Sequence, residues 1–207
     1  MPLYSQTSRL KDVIFTDPQV IPVINRLGVS LGVGDLSIAE VCRRHGVDPG
    51  FFLLIVNTFL NEDYFPETPE ASRWLDDACR YLDSTCRYYE RVQLPNIERH
   101  LNLLIDRSGD AGNLLMLRTF FMEVKTEFLT VGSDVSSASD VFDSVEEKID
   151  DLLSFFVIHL EGDCDRNLCV AVVTSIFALQ KDMRQNNRIR RRLFGSNSRS
   201  ATSLPLP

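Results

Sequence analysis

The most reactive side chains in the sequence are five cysteines and three histidines. Cys79 and Cys86 are seven residues apart, two turns along one helix face, a spacing at which a thiolate would suit a soft metal or a redox reaction. Cys164 and Cys169 are five apart across an expected helix start. No His or further Cys follows at partner spacing, so the stronger expectation for each thiol is a small apolar residue in a core. His45, His100 and His159 are scattered, and a single helical His is more often a surface or hydrogen-bonded residue than a ligand. Arg188, Arg190, Arg191 and Arg192 form a basic cluster suited to phosphate contacts, although cations at a helix C-terminus also stabilise the helix dipole with no ligand. Trp74, Tyr81, Tyr88 and Tyr89 are expected to fill interior space rather than to line a ligand cavity. There is no Ser/His/Asp array, Gly-rich phosphate loop or pair of catalytic carboxylates, so catalysis is not expected.

These residues must be positioned by helices. No segment alternates as a strand would, whereas apolar residues recur at spacings of three and four. Val20, Val23, Ile24 and Leu27 make a short stripe that stops at Gly28, and the stretch from Leu31 to Gly34 reads as a turn. A second helix is expected after Asp35, with Ile38, Val41 and Cys42 inward and Gly46 as its stop. Asp48 and Pro49 predict the start of a third, because Asp caps free N–H groups and Pro at the first helical position loses no hydrogen bond. Pro66 and Pro69 mark the expected boundary of this unit. Four longer patterns follow, over about Ser72 to Asp106, Leu114 to Thr130, Phe142 to Leu160 and Arg166 to Phe194. The first has Trp74, Leu75, Ala78, Tyr81, Leu82, Thr85, Cys86, Tyr89 and Val92 on one side, with Pro95 expected to kink it. The third includes Val145, Ile149, Leu152, Leu153, Phe156 and Val157. A polar, Ser-rich connection runs from Gly132 to Asp140.

A chain of 207 residues that is 44% hydrophobic has ample material for a packed core and is neither disordered nor fibrous. It has no apolar leader, and its longest apolar-biased stretch, Leu168 to Leu179, is too short to span a bilayer, so a cytoplasmic protein with free thiols is expected. The net charge of −7 is uneven. Of 22 basic residues, six are arginines between Arg184 and Pro207, where no acid occurs; the remaining 16 face 29 acidic residues. Such asymmetry suggests a partner-binding basic end or an intramolecular contact. The last residues, 196–207, are rich in Ser and Pro and are expected to be disordered.

The sequence also resembles a known family. The segment from Asn25 to Asp35, followed by Ser37 to Cys42 and Gly46 to Pro49, is similar to the small N-terminal domain of bacterial iron-sulfur cluster repair di-iron proteins. Tyr81 to Tyr89 with Leu94 to Glu98, Phe120 to Leu129, and Asp182 to Leu193 resemble helices of their hemerythrin-like domain. This resemblance implies an all-α protein: a small three-helix domain over 1–66, a hemerythrin-like antiparallel four-helix bundle over 67–195, and the tail. In that family the bundle holds two irons between His and bridging carboxylates, and it needs more His than this chain contains. The ligand positions fall on Cys86, Val131, Ser144, Asn186 and Arg190, and none of these replacements is conservative. Where the family's small domain has two adjacent cysteines, this chain has Gly32 and Val33.

The resemblance therefore implies a non-catalytic regulatory or protein-interaction module that kept the frame and lost the metal. No cofactor and no metal ligand are expected; the alternative is a di-iron sensor of oxygen or nitric oxide, or a cluster repair protein. A further alternative is a DNA-associated regulator using Arg188 to Arg192. The expected partner is an unidentified protein or a second copy of the chain. Nucleic acid ranks behind these, because the body is acidic and no recognition helix follows. No membrane partner is expected.

Overall fold

A computed structural model of the chain describes residues 3–64, 73–108, 112–130, 139–160 and 164–194. Among these residues the fold is all helical, with no strand and one isolated antiparallel bridge between Arg9 and Ser37. They group into two compact units: the described parts of Met1–Thr85 with Arg188–Pro207, and those of Cys86–Asn187. The Pro66 to Pro69 boundary, Val131 and the tail 196–207 lie outside the described residues. So does most of the Gly132 to Asp140 connection, whose last two residues already belong to a helix. No helix among the described residues is long and apolar enough to cross a membrane.

In the first unit, α1 (Leu10–Thr16), α2 (Val20–Arg26), α3 (Ile38–His45) and α4 (Pro49–Leu60) bury Leu10, Val13, Val23, Ile24, Ile38, Phe52 and Ile55. Three of these helices are the expected ones. The additional α1 leaves no clear signal in the sequence, because seven residues with inward Leu10 and Val13 give too little periodicity to read. It is anchored by backbone bonds rather than by its own propensity: Leu10 N–H donates to Leu36 O at 3.3 Å and Ile38 N–H to Ser8 O at 2.9 Å. The local punctuation follows the sequence. Ser37 and Glu40 form a reciprocal capping box, Gly46 closes α3 in the left-handed region at φ 68°, and Asp48 accepts from Phe51 N–H at 2.9 Å. After a short 3₁₀ turn at Arg73 and Trp74, α5 (Leu75–Tyr88) brings Trp74 and Tyr81 against Phe51, with ring centroids 6.4 and 6.5 Å away.

The second unit has one apolar core, built from Tyr89 and from α6 (Leu94–Asp106), α7 (Gly112–Thr130), α8 (Ser139–Ser154) and α9 (Arg166–Phe194). Between α5 and α6 the chain widens into a π turn, Tyr89–Gln93, in which Leu94 N–H donates to Tyr89 O. Pro95 lies in the first turn of α6, where its missing donor disturbs the preceding ladder. The inserted residue resets the helical phase. Tyr89 is therefore followed inward by Leu94, Ile97, Leu101 and Leu104, while Val92, expected on the inward stripe, is 52% exposed. A second π turn, Phe155–His159, has the same consequence at the end of α8: Phe156 is buried, but Val157, also expected inward, is 64% exposed.

Candidate functional site

The positions singled out by the resemblance fall in different chemical surroundings. Asn186, on α9, is buried in the second unit and its amide nitrogen donates to the Tyr89 hydroxyl at 3.0 Å, to Asp182 O at 2.7 Å and to the Asp182 carboxylate at 3.0 Å. Its side-chain oxygen is buried with no hydrogen-bond partner. Ser144, on α8, donates to the Glu127 carboxylate of α7 at 2.7 Å, and Lys148 donates to the other Glu127 oxygen. These two donors hold the Glu127 carboxyl below its ordinary value, Lys148 contributing most. Cys86 is half-buried and packs against the core. Arg190 is buried, at 3% exposure. Among the described residues no group of three or more His, Cys, Asp or Glu is gathered as a metal site.

The interior of the second unit is occupied by side chains. Tyr89 meets Phe128 edge-on at 5.7 Å, and Phe128 meets Phe142 at 6.0 Å, so aromatic bulk fills the middle. The four aromatics expected to fill interior space do so in two places: Tyr89 belongs to this core, Tyr88 flanks it, and Trp74 and Tyr81 pack in the first unit. Cys79 is exposed rather than buried as expected, because it stands on the outer side of α5 next to inward Ala78. His100 is half-buried with Nδ1 2.8 Å from Asn96 O, and exposed His159 lies against Phe155 at 5.7 Å.

The basic cluster does not present itself as a patch. The Arg188 guanidinium donates to Asn61 O at 2.9 Å and to Thr58 O, closing the C-terminal turn of α4. Burial pushes Arg188 below its ordinary value, with Glu62 and Asp63 opposing that effect. Arg184, one turn earlier, pairs with Glu146 at 3.3 Å and Asp150 at 2.9 Å in the second unit. Arg191 and Arg192 are exposed.

Two concave features were not legible in the sequence. In the first unit a cavity of about 300 Å³ is lined by Arg26, His45, Asp48, Asp77, Arg80 and Tyr81, among others. Arg26 lies over the Tyr81 ring at 5.5 Å and donates to its hydroxyl at 3.2 Å, while Arg80 pairs with Asp77 at 2.5 Å. In the second unit, Met116, Leu117, Phe120 and Phe155 line an apolar groove of about 400 Å³. The residues of both features are far apart in sequence, and only the packing of α2, α3, α4 and α5, or of α7 and α8, brings them together. No known protein family, no curated protein and no solved structure matches the chain.

Proposed function

We propose that the chain is a non-catalytic regulatory or protein-interaction module on a hemerythrin-like frame, a four-helix bundle after a small helical domain, that has lost its di-iron site. The observation that carries this reading is the engagement of Asn186, at a former ligand position, with Tyr89 and Asp182 inside a core filled by aromatic side chains. The donors do not fit a di-iron cluster. Asn186 offers a neutral amide and Ser144 a hydroxyl already given to Glu127; Arg190 brings a cation where a bridging carboxylate is required. An interaction role is supported by the outward apolar residues of α7, Leu115, Met116, Met122 and Leu129, which stand opposite its buried Leu117, Phe121, Val124 and Phe128.

Metal analysis of protein purified without oxygen tests the reading. Background iron is expected. Stoichiometric iron with an oxo-bridge absorption band would return the chain to the di-iron class.

A further inference from the structure

The N-terminus of α9 is built so that two thiols share its first turn. Asp165 is the helix cap: its carboxylate accepts from Asn167 N–H at 3.0 Å and Leu168 N–H at 3.1 Å. Cys169 N–H donates to Asp165 O at 2.9 Å, the first bond of the helical ladder. Cys164 is therefore the residue before the cap and Cys169 the fourth residue of the helix. In a hydrophobic staple these two positions lay their side chains against each other. Here both positions are cysteine, and both pack half-buried against the core of the second unit.

The thiols also sense each other. Cys169 is raised above its ordinary value, first by burial and then by the neighbouring Cys164. Among the described residues no third donor completes a metal site around them. The arrangement differs from that of Cys42, which burial and Asp48 push up to about 11 and which lies in the core of the first unit.

We infer that Cys164 and Cys169 are a redox modification site, a dithiol that a peroxide converts into an intramolecular disulfide across the first turn of α9. In the first step the Cys164 thiolate attacks one peroxide oxygen; an S–O bond forms, the O–O bond breaks and hydroxide leaves. In the second, the Cys169 sulfur attacks the sulfenic sulfur; an S–S bond forms, the S–O bond breaks and water departs with the protons released by the thiols. Two thiols and one hydrogen peroxide give one disulfide and two waters, the two sulfurs supplying both electrons. Cys169 is assigned the second, resolving step because burial holds its thiol above the ordinary value.

The experiment uses the full reduced chain, limiting hydrogen peroxide, alkylation under denaturing conditions and tryptic peptide mapping. Arg166 lies between the two cysteines, so trypsin separates them and a disulfide appears as two linked peptides. The linked pair is expected to account for most oxidised Cys169, while Cys42 stays alkylatable. Cys169→Ser should abolish the link and let dimedone trap a sulfenic acid at Cys164. Full alkylation of both cysteines after the peroxide is consumed overturns the inference, as does a disulfide that joins either one to a different cysteine. Because the wild-type map is decisive alone, a variant that does not fold leaves the test intact.

Discussion

The Asn186 amide donates to the Tyr89 hydroxyl at 3.0 Å, joining the first residue of a π turn to a residue of α9 that lies 97 positions away in the chain. This contact ties a buried polar residue of α9 to the aromatic core. Tyr89→Phe removes one acceptor and leaves Asn186 its bonds to Asp182, so a loss of about 0.5–1.5 kcal/mol in urea unfolding is expected. Asn186→Ala also removes the donor facing Asp182 and is expected to cost more, about 1–3 kcal/mol. The double variant should depart from additivity; agreement with the sum of the single losses to within about 0.3 kcal/mol would show that the two side chains do not interact.

Glu127 sets an acid-dependent term. Its carboxyl is held low in the folded chain by Lys148 and Ser144, so the unfolded state binds its proton more readily. The stabilisation is present above the unfolded carboxyl value of about 4.3 and is lost as pH falls from there through the lower folded value. Glu127→Gln should lower stability at pH 7 by about 1 kcal/mol or less and flatten the decline below about pH 4.3. Urea midpoints across that range measure it. An unchanged acid slope would remove Glu127 from the account.

Arg188 is expected to behave as a structural residue. Its guanidinium serves two carbonyls at the end of α4, so Arg188→Ala should cost about 1.5–3 kcal/mol, a charge-assisted contact being lost. Arg188→Lys should recover part of this, since an ammonium lacks the planar fork. Alanine at exposed Arg191 or Arg192 should stay within about 0.5 kcal/mol. Thermal and urea unfolding of the four variants check the ranking. Equal, negligible effects at all three arginines would return Arg188 to the surface cluster.

What could be read in the sequence is what is decided within a few residues. The cap at Asp48 and Pro49, the stop at Gly46 and the extent of α9 all follow from signals inside one or two turns. Val92 and Val157 face outward, against the periodicity, because a π turn adds a residue without any composition of its own; only the neighbouring Pro95 hints at the first, and no proline accompanies the second. The side-chain partnerships were out of reach for a different reason. Asn186 finds Tyr89, and Arg188 finds Asn61 across 127 positions, through tertiary packing that no local pattern encodes. In the sequence Ser144 stands out only through the family resemblance; its hydrogen bond to Glu127 depends on α7 and α8 lying side by side.

The central claim concerns affinity for iron, and anaerobic calorimetric titration of the full chain with ferrous iron tests it most directly, with the thermal midpoint followed in parallel. The account predicts no stoichiometric heat and no rise in midpoint, because a ligand that does not bind the native state cannot stabilise it. Saturable binding of two ferrous ions per chain, with the midpoint climbing as iron is added, would contradict it.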